Sequence, residues 1–220
     1  NVWLPEDYII KCSQEVDLNK FAGMDCYVGV DLAATSDLTA VAYLVVQDGT
    51  YYFKTHYYLP ESALKDKADK ELYKYWKQQG YLTVTSGNVT DYDYITIDML
   101  RYADVVNIQS VGYDKYNATQ WAIDSTEQGL PLEEYPQTLG NFNMPTRELE
   151  RLILSGKAVI DNNEINRYCF RNVTLKSDYN GNVKPNKAVD KKKIDGTIAM
   201  IQALGMYLRN PRFSNEIITI

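Results

Sequence analysis

From Cys26 onward the chain alternates short apolar runs with turn residues. Tyr27, Val28 and Val30 make a buried-strand run that stops at Asp31, and a polar stretch from Ala33 to Asp37 separates it from LTAVAYLVVQ. Asp48-Gly49 then joins that run to the alternating TYYFKTHYYLP. Asp-Gly between two such runs is a hairpin signal, so the pattern predicts an antiparallel opening meander. Residues 1–20 show little periodicity and are expected to be a linker or extension.

Helical spacing follows. Pro60 opens the amphipathic ESALKDKADKELYKYWKQQG, with Gly80 as its stop, and a second helix is expected from Tyr92 to about Ala103. Ile108 to Tyr113 reads as a strand that again ends on an aspartate, Asp114, and runs into a helix from Asn117 to Glu127. Leu132 to Tyr135 is a further strand, and the helix–strand alternation favours parallel pairing here. MPTRELERLILSG predicts a helix with Pro145 in its first turn and Gly156 as its stop, and NEINRYCFRNV predicts another. A hairpin turns on Asn180-Gly181, and a last helix runs from about Asp190 to Leu208 with Ile194, Ile198, Ile201, Leu204 and Leu208 on one face. The sum is one α/β domain with a mixed sheet.

Composition narrows the chemistry. At 220 residues with 45% hydrophobic and 24% charged positions, the chain can bury a sizeable core. It has no apolar run of about 18 residues, so no membrane-spanning helix is expected. Cys12, Cys26 and Cys169 lack metal or redox spacing and are expected as reduced thiols. His56 is the single histidine and lies in a strand-like run, which argues against Ser-His or Cys-His catalysis and against a His-rich zinc site. A net charge of −6 argues against nucleic acid for the chain as a whole, yet Lys184, Lys187, Lys191, Lys192 and Lys193 cluster just ahead of Asp195.

Taken singly, Asp31 and Asp114 are ordinary turn formers. Taken with Asp195 they suggest more: VGVDLA and VGYDKYN both end strands, and KKIDGTIAM opens onto a helix. If the two strands are neighbours and the helix packs on that edge, three carboxylates meet. A like-charge pair about 4 Å apart costs on the order of 4 kcal/mol at an effective dielectric of 20, so such a cluster calls for cations. Oxygen ligands without His or Cys select Mg²⁺ or Mn²⁺ over zinc. Two such ions about 4 Å apart can activate water and stabilise a leaving oxygen in phosphodiester cleavage. Gly196, next to Asp195, is expected to let a metal or substrate backbone approach.

GVDLAATSDLTAV followed by a hairpin, then VGYDKYN, then PNKAVDKKKIDGTIAMIQAL, in that order, resembles the nuclease domain of a tailed-bacteriophage terminase large subunit. The resemblance runs from about Tyr27 to Leu208. It implies a ribonuclease H-like fold: an α/β mixed central sheet, antiparallel at its opening and then parallel, flanked by helices. It further implies a metal-dependent endonuclease that cuts concatemeric viral double-stranded DNA during packaging, with two Mg²⁺ or Mn²⁺ ions on Asp31, Asp114 and Asp195. Asp37 matches more weakly, as a metal ligand or its neighbour. The partners implied are the terminase small subunit, the portal and an ATPase domain, in the cytoplasm of an infected host or from a prophage. No GxxxxGK[ST] occurs, so residues 1–20 are expected as an extension from an ATPase domain, 21–210 as the nuclease domain and 211–220 as a tail. ATP hydrolysis by this chain is not expected.

Lys187, Lys192 and Lys193 are candidate phosphate contacts, against the plain reading of a solvated charge run. Lys115 is a similar candidate beside Asp114. Two rival functions share the pattern: a non-catalytic DNA or portal docking module of the same fold, and an actin-like phosphotransferase, which needs about twice this length and a second glycine-rich loop.

Overall fold

The computed structural model describes residues 2–33, 35, 37–65, 68–116 and 118–210. The expected meander forms from strands β2 (Asp25–Asp31), β3 (Thr39–Gln47) and β4 (Thr50–Pro60), paired antiparallel. Asp48 (φ 52°) and Gly49 (φ 74°) both adopt the left-handed conformation that a tight two-residue hairpin turn requires. Strand β6 (Asn107–Tyr113) lies parallel to β2, and β7 (Leu132–Glu134) parallel to β6. On the far side, β8 (Ala158–Asp161) and β5 (Thr83–Thr85) run parallel to β4, and β1 (Ser13–Gln14) edges β8. The order is β1-β8-β4-β3-β2-β6-β7, with β5 also on β4.

Helices cover both faces. Helices α3 (Tyr92–Ala103) and α4 (Thr119–Glu127) pack through Ile95, Met99 and Trp121 onto Val28, Val30 and Tyr43. The opposite face carries α7 (Asp195–Leu208), with α5 (Leu139–Leu154), α6 (Glu164–Arg171), α1 (Glu6–Cys12) and α2 (Lys70–Gln78) around it. Residues Gly196 to Met206 of α7 are all buried, where the sequence suggests one apolar face. Its polar positions there, Thr197 and Gln202, are too few to mark a solvent side, because sheet and helices enclose it. A separate hairpin, β9 (Val173–Ser177) and β10 (Val183–Lys187), turns at Asn180-Gly181 as expected and packs β10 on α5.

Several expectations are corrected. Residues 2–21 are built into the domain: Leu4, Ile9, Cys12, Val16 and Leu18 are buried, and β1 joins the sheet. Their apolar positions are split among a helix, a two-residue strand and a 3-10 turn, so no single period shows. The helix after Pro60 is a 3-10 turn, Glu61–Lys65, and then α2, since Pro60 completes β4. Helix α7 begins at Asp195 rather than near Asp190. Strand β8 has no counterpart in the sequence reading.

Pro145 lies inside α5, not in its first turn, because Thr138 caps the helix by accepting the Asn141 N–H. A proline there leaves the carbonyl of Asn141 without its helical donor. The Tyr135 hydroxyl fills the gap, donating to that carbonyl at 2.5 Å. The expected tail, 211–220, lies outside the described residues, as does Asn117 at the expected start of α4.

Candidate functional site

Two Gly-x-Asp segments lie side by side. In the parallel pairing of β2 and β6, Gly29 sits opposite Gly112 and Val30 opposite Tyr113, so Asp31 and Asp114 end their strands at the same level. Side chains two apart on a strand share a face, which puts both aspartates on the face where the glycines lie. The glycines are there for α7. A Cβ on Gly29 would come within 2.1 Å of the Ala199 carbonyl oxygen and 2.4 Å of the Ala203 nitrogen, and one on Gly112 would meet Met206 at 2.7 Å. The helix therefore rides directly on the two strands.

That seating delivers the third acid. Asp195 lies one turn before Ala199 on α7, and Asp31 lies one two-residue step beyond Gly29 on β2. The two steps are nearly equal, about 6 Å along a helix and about 6.6 Å along a strand. The carboxyls of Asp31 and Asp195 accordingly interact. Burial, and then the charge of Asp195, push the Asp31 carboxyl well above the usual range, while a bond from Gln137 and the charge of Lys187 pull the other way. Burial also raises Asp195, against the backbone N–H groups of the helix start and the charges of Lys187 and Lys193. Oxygen Oδ2 of Asp195 is buried without a hydrogen-bond partner among the described residues.

Asp114 is placed differently. Its Oδ1 accepts the Tyr116 N–H at 2.9 Å, and its Oδ2 accepts the backbone N–H of Gln137, also at 2.9 Å. Those bonds fix its carboxylate, whose charge adds to the push on Asp31 after burial and Asp195. Among the described residues no three His, Cys, Asp or Glu side chains stand close enough to hold a metal ion as they are. The donor set is nonetheless oxygen-only, and the buried unpartnered oxygen of Asp195 beside a second carboxylate suits a small hard cation.

A pocket of about 350 Å³ opens over Asp31 and Asp195, walled by Gln137, Phe142 and the β10 residues Lys184 and Lys187. Lys187 thus lies at the acids. Lys193 pairs with Asp37, which ties that aspartate to the segment before α7, while its charge also acts on Asp195. Lys192 sits 5.8 Å from the centre of the Tyr168 ring, and Lys115 pairs with Glu134 at 3.9 Å, well out on the surface. Gly196 leaves no room for a metal or substrate: a Cβ there would fall 1.7 Å from the Tyr57 hydroxyl oxygen. It is small so that Tyr57 can pack under the helix start, where its hydroxyl donates to Asn166.

The sequence reading missed Gln137, and it named Lys184 only as part of the basic cluster ahead of Asp195. Gln137 donates from Nε2 to Asp31 Oδ1 at 3.0 Å, and its carbonyl accepts from Lys184 Nζ at 2.9 Å. Gln137 carries no local motif. The glycines did carry a signal, the repeated Gly-x-Asp with small residues Ala199 and Ala203 spaced one turn apart on α7.

Residues 2–210 match the family model described as terminase large subunit, endonuclease domain. The chain belongs to this family. Among the relatives of this terminase nuclease domain, Protein YmfN of Escherichia coli strain K12 is 31% identical over 225 residues, covering 93% of the chain and 48% of YmfN. The terminase large subunit of Enterobacteria phage HK97 is 28% identical over 184 residues, covering 81% of the chain and 36% of that protein. The chain therefore spans half or less of the curated relatives it matches. The crystal structure of the HK97 bacteriophage large terminase superposes with a TM-score of 0.83 at 25% identity, covering 93% of this chain and 43% of that one. The large terminase nuclease from thermophilic phage G20c with bound magnesium shares the fold at a TM-score of 0.52 and 14% identity, over 82% of this chain and 80% of that one. The mixed sheet and its flanking helices are the ribonuclease H-like arrangement of terminase nuclease domains.

Proposed function

We propose that this domain hydrolyses phosphodiester bonds of double-stranded DNA with divalent cations held by Asp31, Asp114 and Asp195. The observation that carries the reading is the buried, unpartnered Oδ2 of Asp195 beside the carboxyl of Asp31, an arrangement that costs free energy unless a cation joins it. Asp31 and Asp195 would supply the inner oxygens. Asp114 would join through lone pairs its backbone bonds leave over, since each carboxylate oxygen offers more than one. Mg²⁺ or Mn²⁺ suits the set, and a bound pair supplies an activated water and charge stabilisation for the leaving oxygen. The solved G20c nuclease with bound magnesium, and its counterpart with bound cobalt, support divalent-metal use in this fold.

The chain's own residues do the remaining work. Lys184 and Lys187 line the mouth of the pocket and would draw in the phosphate backbone, overcoming locally the acidic balance of the chain. Backbone contacts of this kind carry no base readout, so little sequence specificity is expected. In the longer protein the substrate would be concatemeric viral DNA in the host cytoplasm, and the small subunit, portal and an ATPase domain would position the cut.

The test is plasmid cleavage by the purified chain with Mn²⁺, with Mg²⁺ and with EDTA, beside Asp195→Ala. Metal-dependent nicking that the variant abolishes supports the reading. Wild-type protein that cuts with neither ion sinks it in favour of the docking module.

A further inference from the structure

Gln137 reaches both strand-tip aspartates from a single loop position. It follows Pro136 between β7 and α5, where Thr138 caps the helix and the Pro136 carbonyl accepts from Asn141 Nδ2 at 2.8 Å, so its backbone is held on both sides. Its backbone N–H points at Asp114 Oδ2 and its side-chain amide at Asp31 Oδ1, while Lys184 clasps its carbonyl. It lines the same pocket as Asp31 and Asp195.

We infer that Gln137 is a positioning residue for the metal site: it fixes the rotation of the Asp31 carboxylate and the distance between Asp31 and Asp114, leaving Asp31 Oδ2 for the cation. This rests on the proposed nuclease reading. The chemistry fits the task. A carboxylate turns freely about its last bond, and one donor on Oδ1 is enough to choose its orientation. The donor must be neutral, because a lysine or arginine in its place would satisfy the charge that the cation is meant to satisfy. The amide orientation follows from its partner: facing a carboxylate oxygen, the NH₂ group must be the one that donates. The same residue holds Asp114 through the main chain, so the link between the two acids survives any side-chain change at 137 only in half.

Partners of this sort change metal affinity by about 10–100-fold when removed. The experiment is Mn²⁺ titration by calorimetry on the purified 220-residue chain, as wild type, Gln137→Met and Gln137→Glu, with apo melting temperatures and nicking rates measured on the same samples. Methionine keeps the size and loses the donor; glutamate keeps the shape, cannot donate when ionised, and serves as the second variant if methionine impairs folding. The expected result is Mn²⁺ binding by wild type, a loss of at least tenfold in affinity for Gln137→Met with its apo melting temperature within a few degrees, and a nicking rate reduced in both variants. Wild-type binding with unchanged affinity and nicking in Gln137→Met overturns the assignment and leaves Gln137 as a loop anchor. Wild type that binds no Mn²⁺ overturns the nuclease reading itself.

Discussion

The α-carbon of Gly29 lies so close to helix α7 that a methyl group on it would overlap the carbonyl oxygen of Ala199 at 2.1 Å. Because Asp31 and Asp195 project from the next positions along the strand and the helix, this one contact sets how close the two acids come. The two nearest atoms of α7, the Ala199 carbonyl oxygen and the Ala203 nitrogen, are backbone, so no rotamer change relieves the clash. Gly29→Ala is expected to destabilise the domain by about 3 kcal/mol or more, above the usual range for overpacking. Gly140→Ala, where a Cβ meets nothing within 4 Å, is expected to be neutral or to stabilise by up to about 1 kcal/mol. Urea unfolding of the two variants checks the contrast.

The two coupled acids set a pH dependence. A carboxyl raised in the folded state binds its proton more tightly there than in the unfolded chain, so its contribution is fully present below the unfolded value near 4 and is lost as pH rises through the folded value. Without divalent metal, the domain is expected to lose stability as pH climbs from about 4 towards neutrality, and Asp31→Asn or Asp195→Asn is expected to raise the apo melting temperature at pH 7 by a few degrees. Added Mn²⁺ should reverse the order, stabilising wild type and leaving the Asn variants behind. Melting curves across pH with and without Mn²⁺ decide this; wild type as stable as the variants in EDTA at pH 7 would speak against a strained carboxyl pair.

The hydroxyl of Tyr135 stands in for the amide that Pro145 lacks, and a double-mutant cycle exposes it. Tyr135→Phe should cost about 1 kcal/mol in the native background, the worth of an ordinary hydrogen bond. In a Pro145→Ala background the Asn141 carbonyl regains a helical donor, and the same change should cost distinctly less. Phenylalanine keeps the ring contacts with Phe142 and Arg209, so equal costs in both backgrounds would mean that the hydroxyl's contribution does not depend on the donor missing at Pro145.

Asp37 and Lys193 neutralise one another at the surface end of the site. If Asp37 is a partner of Lys193 rather than a ligand, Asp37→Asn should leave Mn²⁺ affinity within about threefold, whereas Asp31→Asn should lose it by far more than the 10–100-fold typical of a supporting contact. Calorimetric titration of the two variants separates the roles.

What could be read from the sequence was what local chemistry dictates. Asp48-Gly49 and Asn180-Gly181 announced their hairpins, and Gly80 and Gly156, both at positive φ, announced the ends of α2 and α5. Asp31 and Asp114 stood out only as a set with Asp195, since either alone at a strand end is an ordinary turn former. Positions fixed by distant partners were out of reach. Pro145 looks like a helix start until Tyr135 is seen to satisfy Asn141, and Gly196 looks like a ligand approach until Tyr57 is seen beneath it. Gln137 has no signature at all, since its role exists only once β2, β6 and β10 converge on its loop.

The most direct test of the carboxylate site is crystallographic: Mn²⁺ soaked into crystals of this domain, with its anomalous signal mapped. The expected result is a peak about 2.1 Å from oxygens of both Asp31 and Asp195, with Asp114 on the same side of the site, and no peak in Asp195→Asn crystals. A map without density between Asp31 and Asp195, or with manganese bound only elsewhere, would contradict the account.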